Sequence, residues 1–476
     1  MRSPFIGLEV PCPVACRAIP RKLGESTQPT GLLLSVIFIL LCGLPAAAQS
    51  PLSLREAVKT ALEKNSSLEA FTAAQQAAER KIQEARSGFL PKVNYSESWT
   101  RSDNPVFVFS SLLTQHQFGE DNFLLGPLNR PDFLNNFQSL VTADQTLFDA
   151  GQTKHAVREA SLGKDIAGED HRLTSMEMIA SVVHAYYDAA LSADEVQAAD
   201  QALRSAEADL QHAENVRSAG LSTDVDVLSI RVHVAGVREQ QIRRAADLDV
   251  ARAALDDALG EPLDTAYRLT TPLAPATSPS GVVADFEKTA VAERPEARQA
   301  KLSTSLAESQ AADARSKLLP DVALHGAFEA DRQNFYDRGG ANWTVSLGLR
   351  WNLFNGFSDK AQIEETKSQL RRSQALQTSA ESAIRLQVRR AYADLHAAEQ
   401  RINVAKASVA EAEESLRITQ NRYQAGMNNV TDLLRTETAV LDARTRYLAA
   451  IHDQRIAAML LELAAGTLSP DSEVLN

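Results

Sequence analysis

Past Cys42 the chain contains no cysteine, so disulfide and thiol chemistry are excluded from everything that follows. Aromatic residues are scarce, at 6% against 44% hydrophobic residues overall. With alanine abundant in the helical stretches, that balance fits helices packed closely along their length better than a large globular core. After the N-terminal region no run approaches the roughly 20 apolar residues of a helical membrane span. The nine histidines, from His116 to His452, show no His-Glu-x-x-His pair or other ligand spacing. Met176, Met178, Met427 and Met459 are too dispersed for a soft-metal relay. A glycine-rich phosphate loop is also missing. The expectation is a protein that is not an enzyme, needs no cofactor or metal, and takes any transport energy from a partner. A net charge of −12 without a basic stripe argues against nucleic acid.

One apolar stretch does occur, from Gly31 to Leu44. It follows Arg17, Arg21 and Lys22 and ends in Ala46-Ala47-Ala48 before Gln49. Residues 1–48 therefore read as a secretory signal peptide with a small-residue cleavage site. Cys12, Cys16 and Cys42 all precede that cut. Cys42 follows Leu41 rather than a small residue, which argues against lipid attachment. Removal of the leader takes away four basic and two acidic side chains and moves the net charge from −12 to −14.

What the chain has is itself, twice. Asn215-Val216-Arg217-Ser218-Ala219-Gly220 recurs as Asn421-Arg422-Tyr423-Gln424-Ala425-Gly426, and Leu147-Phe148-Asp149 recurs as Leu353-Phe354-Asn355, both displaced by 206 positions (215 to 421, 147 to 353). The register has no gap. A long rod requires this, because one inserted residue rotates every later side chain by about 100° around a helix. Val196, Ala199, Leu203, Ala206 and Leu210 keep a coiled-coil spacing, and so do Ile402, Ala405, Val409, Ala412 and Leu416. Upstream, Ala85-Arg86-Ser87-Gly88-Phe89-Leu90-Pro91 matches Ala314-Arg315-Ser316-Lys317-Leu318-Leu319-Pro320 at a displacement of 229 (85 to 314). The segment between each Pro and each Leu-Phe pair therefore varies in length and contains a free loop.

In that segment the pattern switches to period two. Trp343, Val345, Leu347, Leu349, Trp351 and Leu353 alternate with polar residues and Gly348, which predicts a strand with one apolar face. The organisation expected is a first repeat over 49–270, with a strand pair at about 92–148, a long helix over 150–220 and a return helix over 223–260. A connector follows at 271–281. The second repeat covers 282–468, with a strand pair at about 321–354, a long helix over 356–426 and a return helix over 429–466, before a tail at 469–476. Four strands per chain leave two edges, and unpaired backbone groups in lipid cost several kcal/mol each. Four strands cannot close, so several chains must share one barrel. The fold class is mainly α with a small β part: a duplicated long-helix coiled-coil tunnel and four strands contributed to a transmembrane β-barrel.

These paired segments, with the Tyr423-x-x-Gly426…Asp432-Leu433-Leu434 turn and the Ala464-Ala465-Gly466-Thr467-Leu468 ending, resemble the TolC family of outer-membrane efflux proteins over nearly the whole exported chain. The resemblance implies a homotrimeric barrel in outer-membrane lipid of a Gram-negative bacterium, with a periplasmic helical tunnel. It also implies docking to a periplasmic adaptor and to an inner-membrane pump of the RND, ABC or MFS type. The turns around Gly220 and Gly426 then form the periplasmic tip, with Gly220, Leu221, Arg422, Gly426 and Met427 at the adaptor-docking turns. Asp226, Tyr423 and Asp432 match gate positions. Asn428 stands where some relatives carry a latch arginine, and Arg435 where some carry a second acidic ring. Trp343, Val345, Leu347, Leu349 and Trp351 become the lipid-facing strand. Plainer roles coexist with these: Gly220 and Gly426 suffice as left-handed helix ends, and Thr223-x-x-Asp226 and Asn429-x-x-Asp432 both read as helix caps. The function implied is an exit duct for small toxic molecules. Heavy-metal efflux and type I protein secretion use similar outlets, and a periplasmic coiled-coil scaffold would need the rods without the strands.

Overall fold

The computed structural model describes residues 50–220, 222–277, 279 and 281–475; the proposed signal peptide, Cys42 and Leu221 lie outside them. The first repeat opens with β1 (Ser50–Leu52), α1 (Leu54–Lys64), α2 (Ser66–Arg86) and β2 (Lys92–Ser102). A loop carrying α3 (Pro105–Thr114) and α4 (Leu125–Asn129) leads to β3 (Leu134–Phe148), α5 (Gln152–Ser218) and α6 (Asp224–Leu259). The short β4 (Tyr267–Leu269) precedes the second repeat: α7 (Val283–Glu293), α8 (Pro295–Ser316), β5 (Asp321–Arg332), β6 (Gly340–Arg350), α9 (Ser358–Gln424) and α10 (Val430–Ala465). The protein is mainly helical with a small β part.

The displacement of 206 reappears in the helices. α5 and α9 are both 67 residues long, and α6 and α10 are both 36. At 1.5 Å per residue the longer pair spans about 100 Å. No isolated helix of this composition would hold that length, so stability comes from packing. Each return helix lies antiparallel on the long helix before it, and α10 also packs on α5. Ala199, Leu203, Ala206 and Ile402 are buried along these seams. Both return helices end at a left-handed glycine, Gly260 (φ 73°) and Gly466 (φ 76°). Glycine is required twice over at Gly466, because a Cβ there would also come within 2.9 Å of the Arg294 backbone.

The main core sits midway along the rods, where α1, α5, the end of α6 and the second half of α10 meet. Leu54, Val58, Val182, Val183, Tyr186, Leu259 and Leu461 are fully buried there. β1 and β4 form a parallel two-stranded ribbon over it. The Tyr186 hydroxyl donates to the Leu52 carbonyl (3.0 Å) and accepts from the Thr271 amide (2.9 Å), tying α5 to that ribbon. The connector is strapped to α10 through Gln454, whose amide bonds the Ala276 backbone at both ends (2.8 and 2.9 Å).

The four long strands form one antiparallel sheet in the order β2-β3-β5-β6. Its register aligns Tyr95, Val141, Phe328 and Trp343 in one row, and Val93, Ala143, Gly326 and Val345 in the next. That face is apolar and exposed, with Trp343, Val345, Leu347 and Leu349 each more than 60% accessible. The opposite face carries Asp144, paired with His325 at 2.6 Å, and Gln138 on Glu329. Trp351 differs from the strand expectation: β6 ends at Arg350, and the Trp351 indole donates to the Leu318 carbonyl (3.0 Å) instead. β2 and β6 are open edges within the chain. Among the described residues no helix is long and apolar enough to cross a membrane.

Candidate functional site

Two helical hairpins, α5–α6 and α9–α10, end at the same level in turns built on Gly220 (φ 75°) and Gly426 (φ 71°). Each glycine takes the left-handed conformation and donates back to a carbonyl of its long helix: Gly220 to Arg217 and Gly426 to Tyr423 (2.8 and 2.9 Å). Neither is crowded, since a Cβ would meet nothing within 4 Å at either site. Their requirement is conformational. Arg422 and Met427 are exposed at the second turn.

Beyond the turns the two halves diverge. Thr223 accepts from the Asp226 amide (3.2 Å), and the Asp226 carboxylate reaches back to the Thr223 amide, its hydroxyl and the Ser222 hydroxyl (3.2, 2.8 and 3.2 Å). This is a complete capping box. The Thr223 bonds lower the Asp226 carboxyl below its ordinary value. In the second half Asn429 caps through the Asp432 amide alone (2.8 Å). Asp226→Ala should therefore cost about 0.5–2 kcal/mol of local helix stability, and Asp432→Ala less. Amide hydrogen exchange over residues 222–228 and 428–434 checks this; equal loosening in both variants would count against the asymmetric caps.

Tyr423 is half-buried, packed against the apolar cluster of Leu203, Ala206, Ala213, Val227, Ile230, Val234 and Val430 that joins the two tips. Its ring meets His212 edge-on, 6.5 Å between centroids. Burial first, and then the charges of Asp226 and Asp209, push the phenol up. The Tyr423 phenol makes no hydrogen bond to Asp226 in the single chain, where the three bonds of the cap all fall on Asp226 Oδ2. Asn428 is half-buried, Asp432 lies on the first turn of α10, and Arg435 is exposed one turn further. The structure thus brings Tyr423 and Asp226 into one neighbourhood and leaves Arg435 at its rim.

A group that sequence reasoning passed over lies deeper. Asp209 on α5 is 6% exposed, and it faces Glu437 on α10, His233 on α6 and Gln420 on α9. The signal was present: Leu203, Ala206, Asp209 and Ala213 occupy one seam, as do Val430, Leu433, Glu437 and Val440 on α10. A carboxylate at a seam position on each of two facing helices is a costly arrangement. Among the described residues no group of His, Cys, Asp or Glu is placed to hold a metal ion.

Residues 57–261 and 288–467 match the family described as Outer membrane efflux protein. Protein CyaE of Bordetella pertussis is 29% identical over 341 residues, 71% of this chain and 72% of that one. The alkaline protease secretion protein AprF of Pseudomonas aeruginosa is 24% identical, covering 80% and 78%. Among solved structures, a membrane protein from Pseudomonas aeruginosa superposes with a TM-score of 0.75 at 19% identity, over 89% of this chain and 98% of that one.

Proposed function

The chain belongs to the outer membrane efflux protein family, whose members are channels of the outer membrane, and from that premise we propose that three copies form an exit duct for small toxic molecules. The observation that carries this reading is the sheet: one face apolar and exposed, the other polar, and both edges, β2 and β6, open. Three such sheets joined edge to edge give a closed twelve-stranded barrel with its apolar face to lipid and its polar face to water.

The helices support assembly with further copies. α8 buries eight residues because it lies between α5 and α9, whereas its counterpart α2 packs on α5 and buries only Leu68. Likewise Leu434, Leu448 and Ile456 on α10 are half-buried, while their equivalents Leu228, Ile242 and Val250 on α6 are 57–69% exposed. α2 and α6 of the first repeat thus lack the cover that α8 and α10 of the second repeat have. A second copy, rotated about a common axis, supplies it. The rods then form a hollow periplasmic tunnel, with Asp226, Tyr423, Asn428, Asp432 and Arg435 around its entrance. The tip turns around Gly220 and Gly426, with Arg422 and Met427, face a periplasmic adaptor that couples the duct to an inner-membrane pump.

A second cargo, secreted protein, is favoured by one observation: AprF is named for alkaline protease secretion. Purified protein in a planar bilayer should conduct ions, and deletion of the gene should sensitise the cell to amphipathic toxic compounds or metal ions. Normal resistance with loss of one protein from the medium selects secretion. Correctly inserted protein that neither conducts nor alters either phenotype would leave a periplasmic scaffold as the better reading.

A further inference from the structure

Asp209 and Glu437 join the two hairpins a few turns inside the tips. Asp209 Oδ1 accepts from Gln420 (3.4 Å), and Glu437 Oε1 accepts from Ser205 at the long distance of 3.5 Å. Of the remaining oxygens, Asp209 Oδ2 is buried with no hydrogen-bond partner, and Glu437 Oε2 is buried with only an imidazole beside it. The basic side chain beside them is His233, whose Nε2 lies 3.2 Å from Glu437 Oε2. The other titratable neighbour is the Tyr423 phenol on α9. Arg444 on α10 is already engaged by Glu413 and Gln201 (2.6 and 3.1 Å). Two buried carboxylates facing each other cannot both ionise cheaply, and one proton shared between them relieves that cost.

We propose that Asp209 and Glu437 form a proton-binding clamp, in which one proton shared by the two facing carboxyls fastens α5 to α10 and its loss loosens the two hairpin tips from each other. Burial, and next the hydrogen bond and charge of Glu437, raise Asp209 from 3.8 to about 7. Glu437 is held low despite its own burial, chiefly by His233. The proton therefore resides on Asp209 and the charge on Glu437. A cavity of about 440 Å³ lined by Ser205, His233 and Glu437 opens beside the pair and gives the proton a route to water. In the loosened state Asp209 is solvated and titrates near its ordinary value. The clamped state thus binds an extra proton between 3.8 and about 7, so its advantage falls about tenfold per pH unit across that window and levels off above it. As a control of tip opening, this rests on the reading of the tips as the duct entrance.

The test uses the full exported chain, which has no cysteine of its own after Cys42. Spin labels at Ser218→Cys and Gln424→Cys, with labelled chains diluted among unlabelled ones, report the separation of the hairpin ends. The separation should grow as pH rises toward about 7 and then level off. Asp209→Asn, whose amide donates permanently to Glu437, should stay short throughout. Infrared spectra at mildly acidic pH should contain a protonated-carboxyl band that both Asp209→Asn and Glu437→Gln remove. An unchanged titration in Asp209→Asn, or the absence of that band in the parent protein, overturns the clamp. The infrared arm on the parent and on Glu437→Gln decides the matter even if Asp209→Asn folds poorly. Neither readout requires conduction, so a protein that titrates but does not conduct retains the clamp and rejects the duct.

Discussion

Leu347→Arg should yield no assembled channel in the outer membrane. Leu347 is 66% exposed in the middle of β6, opposite Leu324 on the apolar face of the sheet. An arginine near the bilayer midplane costs about 2–4 kcal/mol per chain, so in the proposed three-copy barrel the penalty per assembly is about 6–12 kcal/mol. That is comparable with the whole stability of a typical domain. Ser346→Arg is the matched control, since Ser346, next to Leu347 in sequence and opposite His325, points to the polar face. Outer-membrane fractions should contain the Ser346→Arg trimer and lack the Leu347→Arg one. Normal assembly of Leu347→Arg would mean that this face does not meet lipid.

Ile242→Glu combined with Val250→Glu should release monomers from detergent-extracted protein. Both residues lie on the outward stripe of α6, 64% and 69% exposed in the single chain. Their second-repeat twins, Leu448 and Ile456, are covered by the chain's own helices. If a neighbouring copy covers the α6 stripe in the same way, the pair loses about 3–6 kcal/mol of apolar burial at each interface, and the desolvation of two carboxylates adds to it. Light scattering or crosslinking checks the stoichiometry. A stable trimer of the double variant would place this stripe outside the subunit contacts.

The rods and the sheet were readable in the residues because both rest on periodicity. The ungapped displacement of 206 residues requires two helices of equal length, and alternation from Trp343 to Leu349 requires one apolar sheet face. Features that depend on long-range pairing left no such trace. The ribbon of β1 and β4 pairs Ser50 with Tyr267 across more than 200 residues, and three-residue strands are too short to show a period. α3 and α4 lie in a loop whose length, but not content, follows from comparing the repeats. At the tips Asp226 could be read as cap or as gate. Only the coordinates show its carboxylate taken up by Thr223 and Ser222. Asp209 was hidden by a one-residue choice of register: Leu210 is the better hydrophobe, but the buried position belongs to its neighbour.

The matched helix lengths also fix a clearance. Because α5 and α9 both contain 67 residues, and α6 and α10 both 36, both hairpins hang the same distance below the sheet. Neither can be lengthened without the other, or the tips would fall out of step. A change that preserves the seam must come in whole heptads, or steps of about 10.5 Å. The reach of this molecule is therefore quantised, and any protein that meets its tips from the opposite membrane must be made to that measure.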